Sequence, residues 1–599
     1  MSRTGTWLAW LLALAALPAL MPNPYVQYVV NSALILAFAT IGLNVIFGYA
    51  GQHAFGFPVF FGVGAYASAL LSIDAALPVG LAIPAGALVA GGISALIGFP
   101  SFRLRGIYFG VATIAFSYVI YIIAQNWVGL THGPMGIPLV PPLNLLPDRA
   151  AFGVSRDVQT RLILVSTIAI VIFMLDRILR SPIGRAWLAI RENENLASSL
   201  GIAPLRYQMA AFVTGAVISG LGGGFYAHYV GFVSPTELGF HYIGVVFIML
   251  IAGGTSTLAG PLIGSVVFGV LPELLRVAEM ARNLLLGVIL LLCIVAMPEG
   301  LAGIWKRLQA GRAGHGPRSL DAPMPAVTHM AEEIAQIAPS LSTSGSLEIR
   351  DLTKQFDGLT ALQAVSFIIQ PGEVVGLIGP NGAGKTTLFN VITGVLPPTS
   401  GSVFYCAREI GGRTPHAIAA LGITRTYQIT SIFPELTAAE NVMVATHLWS
   451  CHNPFDALLR SKRFRTAEVA VGRTAEMALA LVGLQASRHI PAGALSYGDQ
   501  RRLEVAVALA TGARFILLDE PAAGLNAGET EELCGLIRRL RSAGFTVVVI
   551  EHDMRMVMSL CDRIIVINYG RKIFDGSPKE AAVHPEVVDA YLGAGTSDA

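Results

Sequence analysis

The sequence predicts a multidomain fold: a polytopic all-α transmembrane part, then an α/β phosphate-loop part. Three observations predict it. Residues 379–386 read GPNGAGKT, a full G-x-x-x-x-G-K-[ST] pattern, directly behind the short apolar run Val374–Ile378. Before it, apolar stretches of about 20 residues, enough to cross the hydrocarbon core of a bilayer as helix, recur between short polar breaks. Charge is also segregated: of 40 Lys+Arg and 38 Asp+Glu, only 15 and 10 fall within residues 1–310.

Composition fits that division. The chain has 599 residues and is 54% hydrophobic, and its mean hydropathy of +0.63 is too apolar for an ordinary soluble protein. A net charge of +2 hides a basic first half and a slightly acidic remainder, so nothing points to a nucleic-acid-binding surface. The five cysteines, Cys293, Cys406, Cys451, Cys534 and Cys561, form no C-x-x-C pair and read as reduced cytosolic thiols.

In chain order, ten spans are expected near 7–22, 26–48, 54–73, 79–99, 106–127, 160–179, 208–230, 242–258, 259–275 and 283–298. Glycines such as Gly62, Gly64, Gly222, Gly223 and Gly224 suit close helix packing in lipid. Arg103 and Arg105, the set Arg177, Arg180, Arg185, Arg191 and Arg206, and finally Lys306 and Arg307 mark the breaks that face the cytoplasm. The proline-rich segment 128–159 then lies outside. The first span also resembles a secretory signal peptide, and a retained helix is favoured because no A-x-A-like site follows it.

The transmembrane region therefore covers 1–308. Residues 309–345, rich in Gly, Pro, Ser, Thr and Ala, read as a linker, and 346–599 as the nucleotide-binding domain.

Within that domain each motif has a physical task around a triphosphate. Backbone N–H groups of Gly379, Pro380 (which offers none itself), Asn381, Gly382, Ala383, Gly384, Lys385, Thr386 and Thr387 are placed to cradle phosphates at a helix N-terminus. Lys385 would reach the β and γ oxygens, and Thr386 offers a hydroxyl to Mg²⁺. Downstream, Phe515 Ile516 Leu517 Leu518 Asp519 Glu520 Pro521 is a buried-strand run ending in two carboxylates, the Walker B pattern. Asp519 would hold Mg²⁺, directly or through water, and Glu520 would orient or deprotonate the attacking water. The run Phe545–Ile550 leads into Glu551 and His552, an imidazole at a strand end where a γ-phosphate can sit.

Between these elements Leu495 Ser496 Tyr497 Gly498 Asp499 Gln500 Arg501 Arg502 Leu503 Glu504 resembles the signature motif of ABC-transporter ATPases. The resemblance spans about residues 346–592, keeps the family's motif order and implies an α/β P-loop ABC ATPase domain with a helical subdomain. It implies a Q-loop glutamine at Gln428, acting on Mg²⁺ and the attacking water, a D-loop at Ala523–Asn526, a switch histidine at His552 and an adenine-stacking aromatic at Phe356. It also implies γ-phosphate contacts from Ser496 and Gly498 to a second ATPase. Tyr497, Asp499 and Asn526 depart from the usual pattern, and a carboxylate at 499 would repel phosphate unless it points away.

The membrane half, from Gly42 Leu43 Asn44 to Gly253 Gly254, is similar to permease subunits of branched-chain amino acid ABC importers, and the ATPase half to the matching ATPase subunit. The resemblance implies ATP and Mg²⁺ as cofactors, a second permease, a second ATPase and a periplasmic substrate-binding protein as partners, and a place in the bacterial inner membrane with the ATPase in the cytoplasm. It implies import of branched-chain or related small amino acids or amides. Two alternatives stay open, a homodimeric exporter of a hydrophobic small molecule and an ATP-gated channel or signalling module. The segment 180–206 is the expected transmission element, with Trp187, Ile190 and Leu196 on a face that docks in a groove. Asn31, Asn44, Gln52, His53, Gln125 and Asn126 either line a pathway or bond neighbouring helices, and Glu273, Arg276, Glu279 and Arg282 are expected at an outer boundary.

Overall fold

The computed structural model describes residues 23–104, 106–143, 156–275, 345–426, 431–450 and 453–592, with short pieces at 287–289, 291–292, 295–297 and 300–303. They form two compact units, the first running to Arg191 and resuming over Leu205–Gly316, the second made of Glu192–Pro204 with the chain from Pro317 onward. The expected first span, the linker apart from Gly345, and Arg276, Glu279 and Arg282 lie outside the described residues, as does much of the tenth span.

The first unit is helical: α1 Pro24–Leu43, α2 Val59–Ile73, α3 Val79–Ser101, α4 Ile107–Asn126, α5 Arg156–Leu179, α6 Pro182–Glu192, then, after α7 Glu194–Ser199 of the second unit, α8 Pro204–Val230, α9 Phe240–Gly253 and α10 Gly260–Leu274. Among the described residues, five helices are long and apolar enough to cross a membrane, and three shorter ones are apolar. Asn23 starts α1 by accepting the Tyr25 N–H at 3.0 Å, with Pro24 in the first turn, where its missing N–H costs nothing. The helix continues as a π-helical stretch, Asn44–Tyr49. The expected span 54–73 begins late, at Val59, with Pro58 at its N-cap, a position where the missing N–H and fixed φ of proline suit a helix start.

Helices of this unit touch backbone to backbone. A Cβ on Gly42 would strike the Gly215 carbonyl and one on Gly215 the Gly42 carbonyl, while Gly64 is pressed equally close to Gly220. With no hydrophobic drive between helices in lipid, such approach supplies the dispersion contacts that hold them together. On the predicted outer side, β1 Ile137–Pro138 pairs antiparallel with β2 Phe232–Val233 and ties the proline-rich segment to the end of α8.

In the second unit, β3 Leu347–Phe356, β4 Leu359–Ile369, β6 Ser400–Tyr405 and β7 Arg408–Glu409 form an antiparallel sheet in the order β4-β3-β6-β7. The larger sheet runs β12-β11-β5-β10-β9-β8, from β5 Val374–Ile378, β8 Ile423–Arg425, β9 Phe515–Asp519, β10 Thr546–Ile550, β11 Arg563–Asn568 and β12 Arg571–Gly576. All its pairings are parallel except β11 with β12. Strands covered on both faces must be apolar throughout, and β5, β9 and β10 are buried at every position. A helical subdomain follows β8, with α13 Ala438–Ala445, α14 Lys462–Leu481 and α15 Tyr497–Ala510; α11 Lys385–Ile392 and α12 Pro415–Ala419 precede it, and α16 Ala527–Ser542 and α17 Met554–Leu560 come after.

Candidate functional site

The order β5-β10-β9 puts three chain ends side by side at the carboxyl edge of the parallel strands, where α/β sheets bind ligands. From β5 comes the phosphate loop. Lys385, first residue of α11, is buried, and its Nζ donates to the Gly379 carbonyl at 2.6 Å and the Pro380 carbonyl at 3.0 Å, so the ammonium lies curled over the loop. Burial lowers its pKa below the usual lysine value, and the Glu520 and Asp519 carboxylates oppose that shift.

From β9 come the two carboxylates. Asp519 is 1% exposed and its Oδ2 accepts from Arg425 Nη2 at 2.7 Å, with Arg425 anchored in turn on Asn390 Oδ1 at 2.6 Å. Among the described residues its other oxygen, Oδ1, is buried with no hydrogen-bond partner. Such an orphaned acceptor is what a hard divalent cation or its water shell satisfies, so the residues fit Mg²⁺. Burial raises the Asp519 pKa, against the pull of Arg425. Glu520 has φ of +49°, a left-handed backbone that costs an ordinary residue about 1 kcal/mol or more. Its N–H is held by the Ile550 carbonyl at 2.9 Å, across on β10.

From β10 comes His552, whose Nε2 lies 2.9 Å from Glu520 Oε1. Glu551 beside it accepts from the Ala522 N–H at 2.7 Å and the His552 N–H at 3.1 Å, and burial raises its pKa. The structure thus brings together the phosphate loop, Asp519, Glu520 and His552. Gln428 lies outside the described residues. Phe356, at the end of β3, is 39% exposed, with the Lys354 ammonium 5.0 Å from its ring centroid.

The signature residues open α15. Ser496 caps it, accepting the Asp499 N–H at 3.2 Å. Among the described residues, neither Ser496 nor Gly498 is hydrogen-bonded to the phosphate loop of its own chain. Gly498 faces Glu529 so closely that a Cβ would collide with its carboxylate. Tyr497 lies against Gly524 of the D-loop, and its hydroxyl accepts from Arg501 Nη2 at 2.8 Å. Asp499 is paired at 3.8 Å with Arg502, which tempers its charge. Asn526 caps α16 through a reciprocal pair with Glu529, both bonds 2.9 Å long.

Motif reading missed Arg425 as the partner of Asp519, Glu551 as the acceptor that holds Ala522 just before the D-loop, and Glu504. The last is 4% exposed, accepts from Ser431 N just past the Gln428 segment and from Arg501 Nη1 at 3.0 Å, and burial pushes its pKa up to about 7. A glutamate at a helical position flanked by Leu503 and Val505 was the available signal.

The transmission element needs a correction. Trp187 does not face a docking groove: it is buried in the core of the helical unit with its Nε1 donating to the Tyr207 carbonyl at 2.8 Å, while Ile190 and Leu196 are buried as well. An amphipathic face marks burial but not against what. Only Glu192–Pro204 groups with the second unit, where α7 packs on α12, Gly201 abuts Leu448, and Glu192 Oε2 accepts the Glu435 N–H at 3.1 Å.

The polar residues of the helical unit bond to their neighbours. Asn31 donates to the Asp157 carbonyl and Tyr229 and accepts from Arg161; Gln125 donates to Tyr121, Asn126 to the Ile122 carbonyl and Gln52 to the Ala50 carbonyl. His53 packs on Phe47 and Phe55.

Comparison with known proteins agrees with both units. A family profile described as branched-chain amino acid transport system / permease component matches residues 25–297, and one described as ABC transporter matches 362–523. The high-affinity branched-chain amino acid transport ATP-binding protein BraF of Pseudomonas aeruginosa is 45% identical over 248 residues, 41% of this chain and 97% of that protein. LivG of Escherichia coli, of the same description, is 42% identical over the same shares. The permease protein LivM of Salmonella typhimurium is 31% identical over 307 residues, 48% of this chain and 72% of its own length. Among solved structures, a nucleotide-free ATP-binding cassette from an ABC transporter is 31% identical, with 41% of this chain and 98% of that one covered and a TM-score of 0.37.

Proposed function

The chain belongs to the branched-chain amino acid ABC transporter family, with permease and ATPase parts in one polypeptide, and on that premise we propose how its residues drive import. It is a multi-pass membrane protein that couples ATP hydrolysis to uptake of branched-chain amino acids, together with partner permease and ATPase subunits. In our reading the permease covers 1–308, a linker 309–345 and the ATPase 346–599. A periplasmic binding protein delivers the cargo, and the complex lies in the bacterial inner membrane with its ATPase in the cytoplasm.

The observation that carries this reading is the Glu520–His552 pair at 2.9 Å beside the phosphate loop, in a chain whose first half matches the permease. Backbone N–H groups of 379–387 and the Lys385 ammonium bind the β and γ phosphates, with Phe356 stacked on the adenine. Glu520, held by the imidazole and its own backbone, takes the proton of the attacking water. Thr386, Asp519 and Gln428 would hold Mg²⁺, which neutralises charge on the phosphate oxygens when bound. Ser496 and Gly498 reach the γ-phosphate held by the partner ATPase, so closure needs two cassettes.

The test is ATP-driven uptake of leucine, isoleucine and valine into vesicles carrying the full complex, with binding protein outside the permease face. Uptake that requires ATP and is abolished by Glu520→Gln supports the reading. Hydrolysis without uptake of any of the three, or outward movement of a hydrophobic compound with no binding protein, would overturn it.

A further inference from the structure

Arg191 is the last residue of the first unit, and one peptide bond later the chain enters the second at Glu192. Its side chain does not lie loose on the helix end. Arg191 Nη1 donates to Ser256 Oγ at 2.6 Å and to the Gly48 carbonyl at 3.2 Å, and Ser256 Oγ donates to that same carbonyl at 2.8 Å. The backbone of Ser256 is fixed as well, its N–H donating to Asn44 Oδ1 at 3.0 Å, while Asn44 Nδ2 donates to the Thr257 carbonyl at 2.9 Å.

The two segments joined here are places where regular α-helix gives way. One is the π-helical stretch Asn44–Tyr49 that ends α1. The other is the turn between α9 and α10, where Gly254 has φ of +111° and Ser256 of +57°. Insertions of π-helix often mark functional sites, and a non-glycine residue in left-handed backbone is strained unless its surroundings hold it. Here the surroundings include a guanidinium from the helix that leads to the ATPase unit. Side-chain space is tight: a Cβ on Gly48 would hit Asn44 and Ser256, and one on Gly51 would hit the Arg191 stem.

We propose that Arg191 is the positioning residue that couples the ATPase cycle to the permease, through a latch made with Ser256 and the Gly48 carbonyl. A displacement of the segment starting at Glu192 acts on Arg191 through one peptide bond. Because its guanidinium spans both irregular segments, releasing or engaging it changes α1 and the α9–α10 turn together. This rests on the reading of the chain as an ATP-driven importer.

The test uses the full complex in vesicles, comparing wild type with Arg191→Ala, Arg191→Lys and Ser256→Ala. Leucine uptake and ATP hydrolysis are each counted per assembled complex, so that a lower yield does not enter the ratio. Uptake per ATP hydrolysed falls about tenfold in Arg191→Ala, less in Ser256→Ala, and is partly restored in Arg191→Lys, with the KM for ATP unchanged. Hydrogen exchange of peptides covering 44–51 and 254–260, with and without ATP, reads the latch without reference to cargo: exchange in both rises in Arg191→Ala. Uptake and hydrolysis falling in equal proportion, or neither changing, together with exchange that ignores the substitution, would overturn the latch. A wild-type complex that takes up no leucine yet shows the exchange response counts against the importer reading and not against the latch.

Discussion

Glu520 Oε1 lies 2.9 Å from His552 Nε2, bridging the ends of β9 and β10, and the Glu520 backbone sits in a left-handed conformation fixed by the Ile550 carbonyl. The carboxylate is therefore positioned by two independent constraints before any water approaches it.

Replacing Glu520 with Gln removes the proton acceptor and leaves the phosphate loop intact. Single-turnover hydrolysis should fall by about 100-fold or more while ATP binding persists, with His552→Ala slowing the same step. Nucleotide trapping by filter binding checks the first half. A Glu520→Gln protein that hydrolyses normally would remove Glu520 from the role given to it.

Arg425 and Asp519 are 2% and 1% exposed as side chains and 2.7 Å apart. Arg425→Ala leaves a carboxylate buried without its counter-charge, so the ATPase unit should lose about 3–5 kcal/mol in denaturant unfolding of the full chain. Since Asp519 would then hold a cation as its main charge partner, added Mg²⁺ should recover part of that loss.

Burial raises Glu504 from the ordinary 4.5 to about 7. The folded protein binds this proton more tightly than the unfolded chain, so its contribution is fully present below about pH 4.5 and is lost as pH rises through about 7. Asp519 and Glu551, also raised, act with the same sign. Glu504→Gln keeps an acceptor for Ser431 N, and its unfolding free energy should fall less steeply between these pH values than that of wild type. Equal slopes would show that Glu504 does not titrate there.

Tyr497 rests on Gly524, whose φ is +79°. Gly524→Ala adds a methyl that meets the ring and strains the backbone, at a cost of about 1–3 kcal/mol in thermal unfolding, and slows hydrolysis. Tyr497→Phe keeps the ring and loses only the bond from Arg501, about 1 kcal/mol. The ranking of the two variants is what the measurement checks.

What was legible in the sequence was chemistry carried by neighbouring residues. The phosphate loop, Asp519–Glu520 and His552 stand in short motifs whose strand and helix context repeats locally, and the structure places strands and helices there. Arg425, 94 residues before Asp519, was not legible as its partner, because only the pairing of β8 with β9 brings them together. Tyr497 read as a departure until Gly524 was seen beneath it. Hydropathy located the span ending at Ile73 but not its start, since Phe55 and Phe57 are apolar whether in a turn or a helix.

The glycine contacts between α1, α2 and α8 carry one more consequence. Where main chain lies on main chain there are few rotamers to rearrange, so these three helices should resist flexing against one another where they touch. A transport stroke would then be taken up beside these contacts, and the irregular stretch after Leu43 follows directly on the Gly42–Gly215 approach.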